Sequence, residues 1–193
     1  MTTHPVPDPE AVVSTTRDWI ERAVIGLNLC PFARAVYVND QIRYVVSPAH
    51  DTTALLGDLV RELRWLNQMP DDTVDTLLLI HPHALTGFLD YNDFIGVADA
   101  AIEELGFQGV FQIAGFHPLY RFAGTTEDDI TNNTNRSPYP MVQLLRESSV
   151  EKAIASVSDS DDIYRRNMDT MRRLGAPGWD AMGFARRSGP QSS

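Results

Sequence analysis

Thr76-Leu77-Leu78-Leu79-Ile80 is a short, nearly unbroken apolar run, preceded by the turn-forming Met69-Pro70-Asp71-Asp72 and closed by His81-Pro82-His83. An aliphatic run of this length between turn residues reads as a strand. It does not alternate with polar residues, so both of its faces need cover, as in a parallel sheet flanked by helices. On its N-terminal side, Leu55, Leu56, Leu59, Val60, Leu63 and Leu66 recur at helical spacing and predict a helix from about Asp51 to Asn67. On its C-terminal side, Leu89, Phe94, Ile95, Ala98, Ala101, Ile102 and Leu105 predict a second helix over 87–105, with Gly106 as its left-handed terminal residue. Val110 to Phe116 is the next central-looking strand. The β-α-β-α-β middle predicts an α/β sandwich of two or three layers around a mostly parallel sheet, joined by right-handed crossovers.

Working outward, Asp8-Pro9-Glu10 reads as a capped helix start, and the helix should end near Asn28-Leu29 because Pro31 disfavours helical geometry in Cys30. Ala35–Val38 and Gln41–Val46 are β-favouring runs separated by Asn39-Asp40, which predicts an N-terminal β-hairpin. Beyond the last strand, Pro140 is expected to open a helix carrying Met141, Leu144, Leu145, Ser148 and Ala155. Another helix is expected over 159–174, stopped by Gly175-Ala176-Pro177-Gly178, with Trp179, Met182 and Phe184 positioned to dock. Residues 8–184 are thus expected to form one domain, with loose ends at 1–7 and 186–193.

Composition bounds the function. The 193 residues include 26 acids and 16 Lys or Arg, a formal charge of -10, which disfavours general binding to nucleic acid or anionic membranes. No run approaches the roughly 18 apolar residues of a membrane span. The single cysteine, Cys30, excludes an intrachain disulfide and fits a reducing compartment. Since Met1 to Pro5 lacks a basic-then-apolar leader, a cytoplasmic location is expected.

The longest connection without periodicity runs from His117 to Pro140. It holds a histidine, three consecutive acids (Glu127, Asp128 and Asp129), the arginines Arg121 and Arg136, and the Asn132-Asn133-Thr134-Asn135 stretch. Connections of this size inside a compact domain are commonly binding loops or lids, although Asn and Thr also cap their own backbone. His81-Pro82-His83 and His117-Pro118 each follow a strand, and ligands of open parallel sheets bind beyond the carboxyl ends of strands. Three readings stay open for His81, His83 and His117. They could ligate zinc or iron, with an oxygen donor from Asp90, Glu127, Asp128 or Asp129. They could act as metal-free acid–base or ligand-binding groups. Or they could end strands while hydrogen-bonding to loop backbone.

Asp128 is the candidate carboxylate for acid–base work, and Arg136, Arg121, Asn135 and Tyr120 are the candidate substrate-binding groups. Arg136 stands just ahead of the expected Pro140 helix, whose N-terminus would favour an anion; pairing with the neighbouring acids is the plain alternative. Arg146 is a further candidate anion holder. Cys30 sits after a helix among Leu29, Pro31 and Phe32, a setting for an inert buried thiol. No Gly-rich phosphate loop, GxSxG elbow or HExxH helix is present, so no nucleotide cofactor is indicated.

Three separated segments, Asn28-Leu29-Cys30-Pro31-Phe32-Ala33, Gly115-Phe116-His117-Pro118 and Asn135-Arg136-Ser137-Pro138-Tyr139-Pro140 with Leu144-Leu145-Arg146-Glu147, occur in this order. Together they resemble the uncharacterised bacterial family catalogued as domain of unknown function 1415 (DUF1415), over nearly the whole chain apart from both ends. The resemblance implies common ancestry and brings no activity, cofactor or substrate with it. The expected function is an enzyme of hydrolase or lyase type acting on a small anionic metabolite through the histidines, metal-assisted or not. The rival is a non-catalytic domain that binds a small ligand or a protein partner. The oligomeric state is left open.

Overall fold

A computed structural model describes residues 8–155 and 160–184. The ends expected to be loose, 1–7 and 186–193, lie outside the described residues. In chain order the elements are α1 (Pro9–Trp19), a π-helical continuation (Ile20–Ile25), α2 (Ala33–Val38), β1 (Ile42–Val46), α3 (Thr52–Gln68), β2 (Thr76–Ile80), α4 (Phe88–Glu104), β3 (Phe111–Phe116), a 3-10 turn (Ile130–Thr134), β4 (Met141–Arg146), α5 (Glu147–Ala155) and α6 (Ser160–Ala181). Helix starts follow the sequence signals. Asp8 accepts from the Glu10 N–H with Pro9 in the first turn, and Asp51 accepts from the Ala54 N–H at 2.8 Å.

The four strands form one sheet in the order β1-β2-β4-β3. Leu77 and Leu79 of β2 face α3 and α4, in a core with Leu55, Leu59, Leu63, Phe94 and Ala98. Leu78 and Ile80 face the other way, onto Trp19, Ile20 and Ala23 of the first helix and Met171 of α6. All five β2 residues are buried, so the continuous apolar run is a strand covered on both sides. The architecture is three-layered, helices on both faces of the sheet.

Three expectations about the strands and their neighbours are corrected, and one about a helix face. The sheet is mixed: only β1 and β2 pair in parallel, while β4 is antiparallel to both β2 and β3. Pro140 opens a strand, not a helix, and the helix starts at Glu147. Met, Leu and Gln favour helix in isolation, but Met141–Arg146 gains hydrogen bonds on both edges and buries Met141, Val142 and Leu144 at the sheet centre.

The N-terminal hairpin is the third correction, because Ala33–Val38 is helical. Asn39-Asp40 ends that helix instead of turning a hairpin. Asp40 is left-handed at φ 54, with Gln41 N–H bonded to the Val36 carbonyl and Asp40 N–H to that of Tyr37. A type I′ turn would need Asn39 left-handed as well, and its φ is -85. Leu89, expected on the inner stripe of α4, points to solvent, and Tyr91 takes the buried position. Gly175, at φ 66, breaks α6 as expected, and the segment beyond it docks through the buried Trp179.

Candidate functional site

Since β2 and β3 are both antiparallel to β4, β1, β2 and β3 all run one way and their carboxyl ends share an edge. Four of the chain's five histidines stand in the loops that leave this edge: His50 after β1, His81 and His83 after β2, and His117 after β3.

His81 and His117 are fully buried. The His81 Nδ1 lies 2.9 Å from the Ala84 carbonyl, and because a carbonyl only accepts, Nδ1 carries the proton. Its Nε2 is therefore the acceptor, and it is buried with no hydrogen-bond partner among the described residues. In His117 the arrangement is reversed. Nε2–H donates to the Leu85 carbonyl at 3.1 Å, and Nδ1 accepts the Leu119 N–H at 3.0 Å. Both His117 nitrogens are thus committed to backbone.

Both rings clamp the 81–87 loop, and Leu85, whose carbonyl takes the His117 proton, sits at φ 54. A left-handed leucine is strained and persists only where its surroundings over-determine it. Burial lowers the pKa of each ring to about 4, against the opposing pull of the carbonyl bonds. At neutral pH both rings are therefore uncharged.

Tyr91 of α4 ties the edge together. Its ring contacts those of His117 and His81 at centroid distances of 4.9 and 5.9 Å, and its hydroxyl donates to the Met141 carbonyl at 2.8 Å. Gly115 is glycine for a steric reason, since a Cβ there would stand 2.6 Å from the Tyr91 hydroxyl. Phe88 covers the outer side, against His117 at 5.6 Å and Tyr120 at 5.2 Å. His83 is elsewhere, stacked on the exposed His50 at 4.9 Å with 21° between the rings. The three rings His81, His83 and His117 therefore do not turn free nitrogens toward one point. Among the described residues no group of three or more His, Cys, Asp or Glu is placed to hold a metal ion.

The crossover folds on its own polar side chains. Asn132, fully buried, accepts from the Phe122 N–H and the Thr125 hydroxyl through Oδ1, and donates to the Thr126 carbonyl. Asp129 caps the 3-10 turn through the Thr131 N–H and hydroxyl, bonds that lower its pKa. Asn135 donates to the Gly115 carbonyl, and its own carbonyl accepts the His117 N–H. Arg136 donates to the Tyr120 carbonyl, the Glu127 carbonyl and Asn133 Oδ1, closing the loop around its guanidinium.

Where this loop meets α6, a cleft of about 280 Å³ is lined by Glu127, Asp128, Ile130, Asn133, Arg136, Ala176, Trp179 and Asp180. Asp128 and Arg136 thus meet at one opening, away from the histidines. Tyr120 packs on Phe88 and Phe122, and Arg121 is exposed. Arg146 is buried in the sheet, where it donates to the carbonyls of Leu66, Met69 and Val74 and pairs with Asp71, so it ties the end of α3 to β4. Cys30 is partly buried.

Sequence reasoning missed His50, Asn133, Trp179 and Asp180 as groups at these openings. His50 and Asp180 carried no signal, since neither belongs to a motif and their neighbours come from other loops. Trp179 did carry one, as a large aromatic retained beyond a helix stop.

No curated protein and no solved structure matches the chain. Residues 11–181, from within α1 to the end of α6, match the family model described as Protein of unknown function (DUF1415), and the chain belongs to that family.

Proposed function

We propose that this protein binds a small ligand in the cleft between the 117–140 crossover and α6. The observation that carries the reading is the chemistry of the opening: carboxylates, a guanidinium and a buried amide converge there beside the indole of Trp179. Mixed polar groups against an apolar wall are what small-ligand sites require. The His117 nitrogens and the His81 Nδ1, by contrast, are spent on backbone.

The test is a thermal-shift screen of small charged metabolites against the wild type and Ala176→Phe, which places a ring at the mouth of the cleft. Ligands that raise Tm in the wild type and not in the variant support the reading. Equal shifts in both proteins overturn it.

A second reading is favoured by one atom, the His81 Nε2, which is buried with no hydrogen-bond partner among the described residues. A buried polar atom without a partner calls for an explanation, and a catalytic role is one. In this reading the protein is an enzyme of hydrolase or lyase type, His81 exchanges a proton with a small anionic metabolite, and zinc or iron assists at that nitrogen or is not needed. Metal content of protein purified without an affinity tag addresses the metal-assisted form. Stoichiometric zinc or iron that disappears in His81→Ala supports it, and metal retained in the variant removes it.

A further inference from the structure

We infer that the protein forms a two-fold dimer in which β1 pairs antiparallel with β1 of a second copy, joining the two sheets edge to edge. The strand order β1-β2-β4-β3 leaves two outer edges, and the fold treats them differently. At the β3 edge, the Glu147 N–H donates to the Val110 carbonyl, so in the β3–β4 register Phe111, Ile113 and Gly115 turn their backbone groups outward. The crossover covers the carboxyl end of that edge, where Asn135 donates to the Gly115 carbonyl and accepts the His117 N–H. Among the described residues no segment covers β1 in this way. The Thr76 N–H donates to the Gln41 carbonyl and the Ser47 N–H to the Ile80 carbonyl, which turns the backbone of 41, 43, 45 and 47 toward β2. Ile42, Tyr44 and Val46 therefore point their N–H and C=O groups away from the sheet, with no partner among the described residues.

The usual guards of an open edge are missing as well. The strand Ile42–Val46 holds no proline or lysine and pairs with β2 residue for residue, without a bulge. Its one charge, Arg43, is drawn off the edge onto α3, bonded to Glu62 at 3.2 Å and 3.8 Å from the centre of the Trp65 ring. The occupant is a second copy because this surface complements itself. Beside the edge, α1 and β1 border a groove of about 530 Å³ whose lining includes Glu10, Val13, Arg17, Tyr44 and Val46. Arg17 stands over the Tyr44 ring and 3.7 Å from Asp40 in an exposed pair, and Glu10 is two helical turns away along the groove. A two-fold axis through Tyr44 exchanges the ends, so the acid of each groove faces the base of the other. The same axis carries Val38, 69% exposed at the end of α2, toward the Val46 end of the second copy's groove. In this register Ile42 opposes Val46 of the second copy, Tyr44 opposes its own counterpart, and each pair exchanges both N–H···O bonds.

The experiment is sedimentation equilibrium of the full chain from about 5 μM to 0.5 mM, with residue-resolved amide hydrogen exchange by NMR on the same protein. Two chains of charge -10 repel, so both are run at physiological ionic strength, where the screening length is about 8 Å. Two variants accompany the wild type. Val46→Pro deletes an outward N–H and leaves the β1–β2 ladder whole, as proline does on an edge strand. Val38→Asp alters an exposed side chain, and so keeps the test open should the proline variant fail to fold. Circular dichroism checks both folds.

The wild type is expected to reach the mass of two chains, and each variant to weaken association by about tenfold or more. In the dimer the amides of Ile42, Tyr44 and Val46 should exchange as slowly as those of Arg43 and Val45, which face β2. A chain that is still monomeric at about 0.5 mM overturns the proposal. A dimer in which the three outward amides exchange much faster than their neighbours overturns it too, because its interface then lies elsewhere. So does a dimer whose affinity is unchanged in Val38→Asp and in folded Val46→Pro.

Discussion

The two ends of the His117–Pro140 crossover use polar chemistry in opposite ways. At its start, His117 and the neighbouring His81 are fully buried, uncharged and tied to the backbone of a strained loop. At its middle, where it meets α6, Glu127 and Asp128 are exposed and gather with Asp180 around an opening. The first region is bound up in hydrogen bonds to backbone and holds the sheet edge together; the second sets exposed acid side chains at the mouth of a cleft. Histidine in a sequence therefore signals chemistry less reliably than its solvation does in the fold.

This contrast can be broken most forcefully with acid. Both rings have a folded pKa near 4 against an ordinary 6.5, so the unfolded chain binds protons more readily between those values. Their contribution is complete above about pH 6.5 and is lost as pH falls through 4, on the order of 3 kcal/mol for each ring. Urea midpoints measured between pH 7 and 4 should fall steeply in the wild type and less steeply in His117→Gln. Parallel slopes would show that these rings do not carry the acid sensitivity.

Next in size is His117→Ala at neutral pH. It removes two hydrogen bonds and leaves a buried void under Phe88 and Tyr91, an expected cost of about 3 kcal/mol by denaturant unfolding. A change below about 1 kcal/mol would mean the ring is not a brace.

Gly115→Ala sharpens the same region from the strand side. The new methyl meets the Tyr91 hydroxyl, and a loss of about 2 kcal/mol is expected unless the tyrosine moves aside. Combining it with Tyr91→Phe should recover part of the loss, because the clashing oxygen is gone.

The smallest effect belongs to the cleft. Asp128→Asn and Asp180→Asn should each change stability by less than about 0.5 kcal/mol, since both side chains are exposed. A large loss in either would make the acids structural and erase the distinction between the two regions.

Much of the fold was legible because it rests on local periodicity. The α3 stripe, most of the α4 stripe, the buried run Thr76–Ile80 and the cap at Asp8 all appear where the spacing of apolar residues and short polar side chains places them. Met141–Arg146 was misread because six residues of mixed Met, Leu and Gln satisfy a helical period as well as a strand, and only insertion between β2 and β3 decides between them. Ala35–Val38 was misread for the matching reason, as β-branched residues ahead of Asn39-Asp40 fit a hairpin until the left-handed turn is seen to close a helix.

The candidate site was legible in part. His81 and His117 were placed on one edge by strand direction alone, and they do lie there, joined through Tyr91. That Asp128 and Arg136 share an opening with Trp179 and Asp180 was not legible, because some fifty residues separate the two pairs and nothing local encodes the approach of α6.

By itself, then, the amino-acid order determined the start of α1, the helices α3 and α4, the buried strand, the acidity and the family motifs, all of which depend on residues within a turn or two of one another. Tertiary structure alone decided the strand order, the tautomers of the buried imidazoles and the composition of the cleft. Each of these depends on which distant backbone or side chain supplies a hydrogen-bond partner, and that choice is made only when the layers pack.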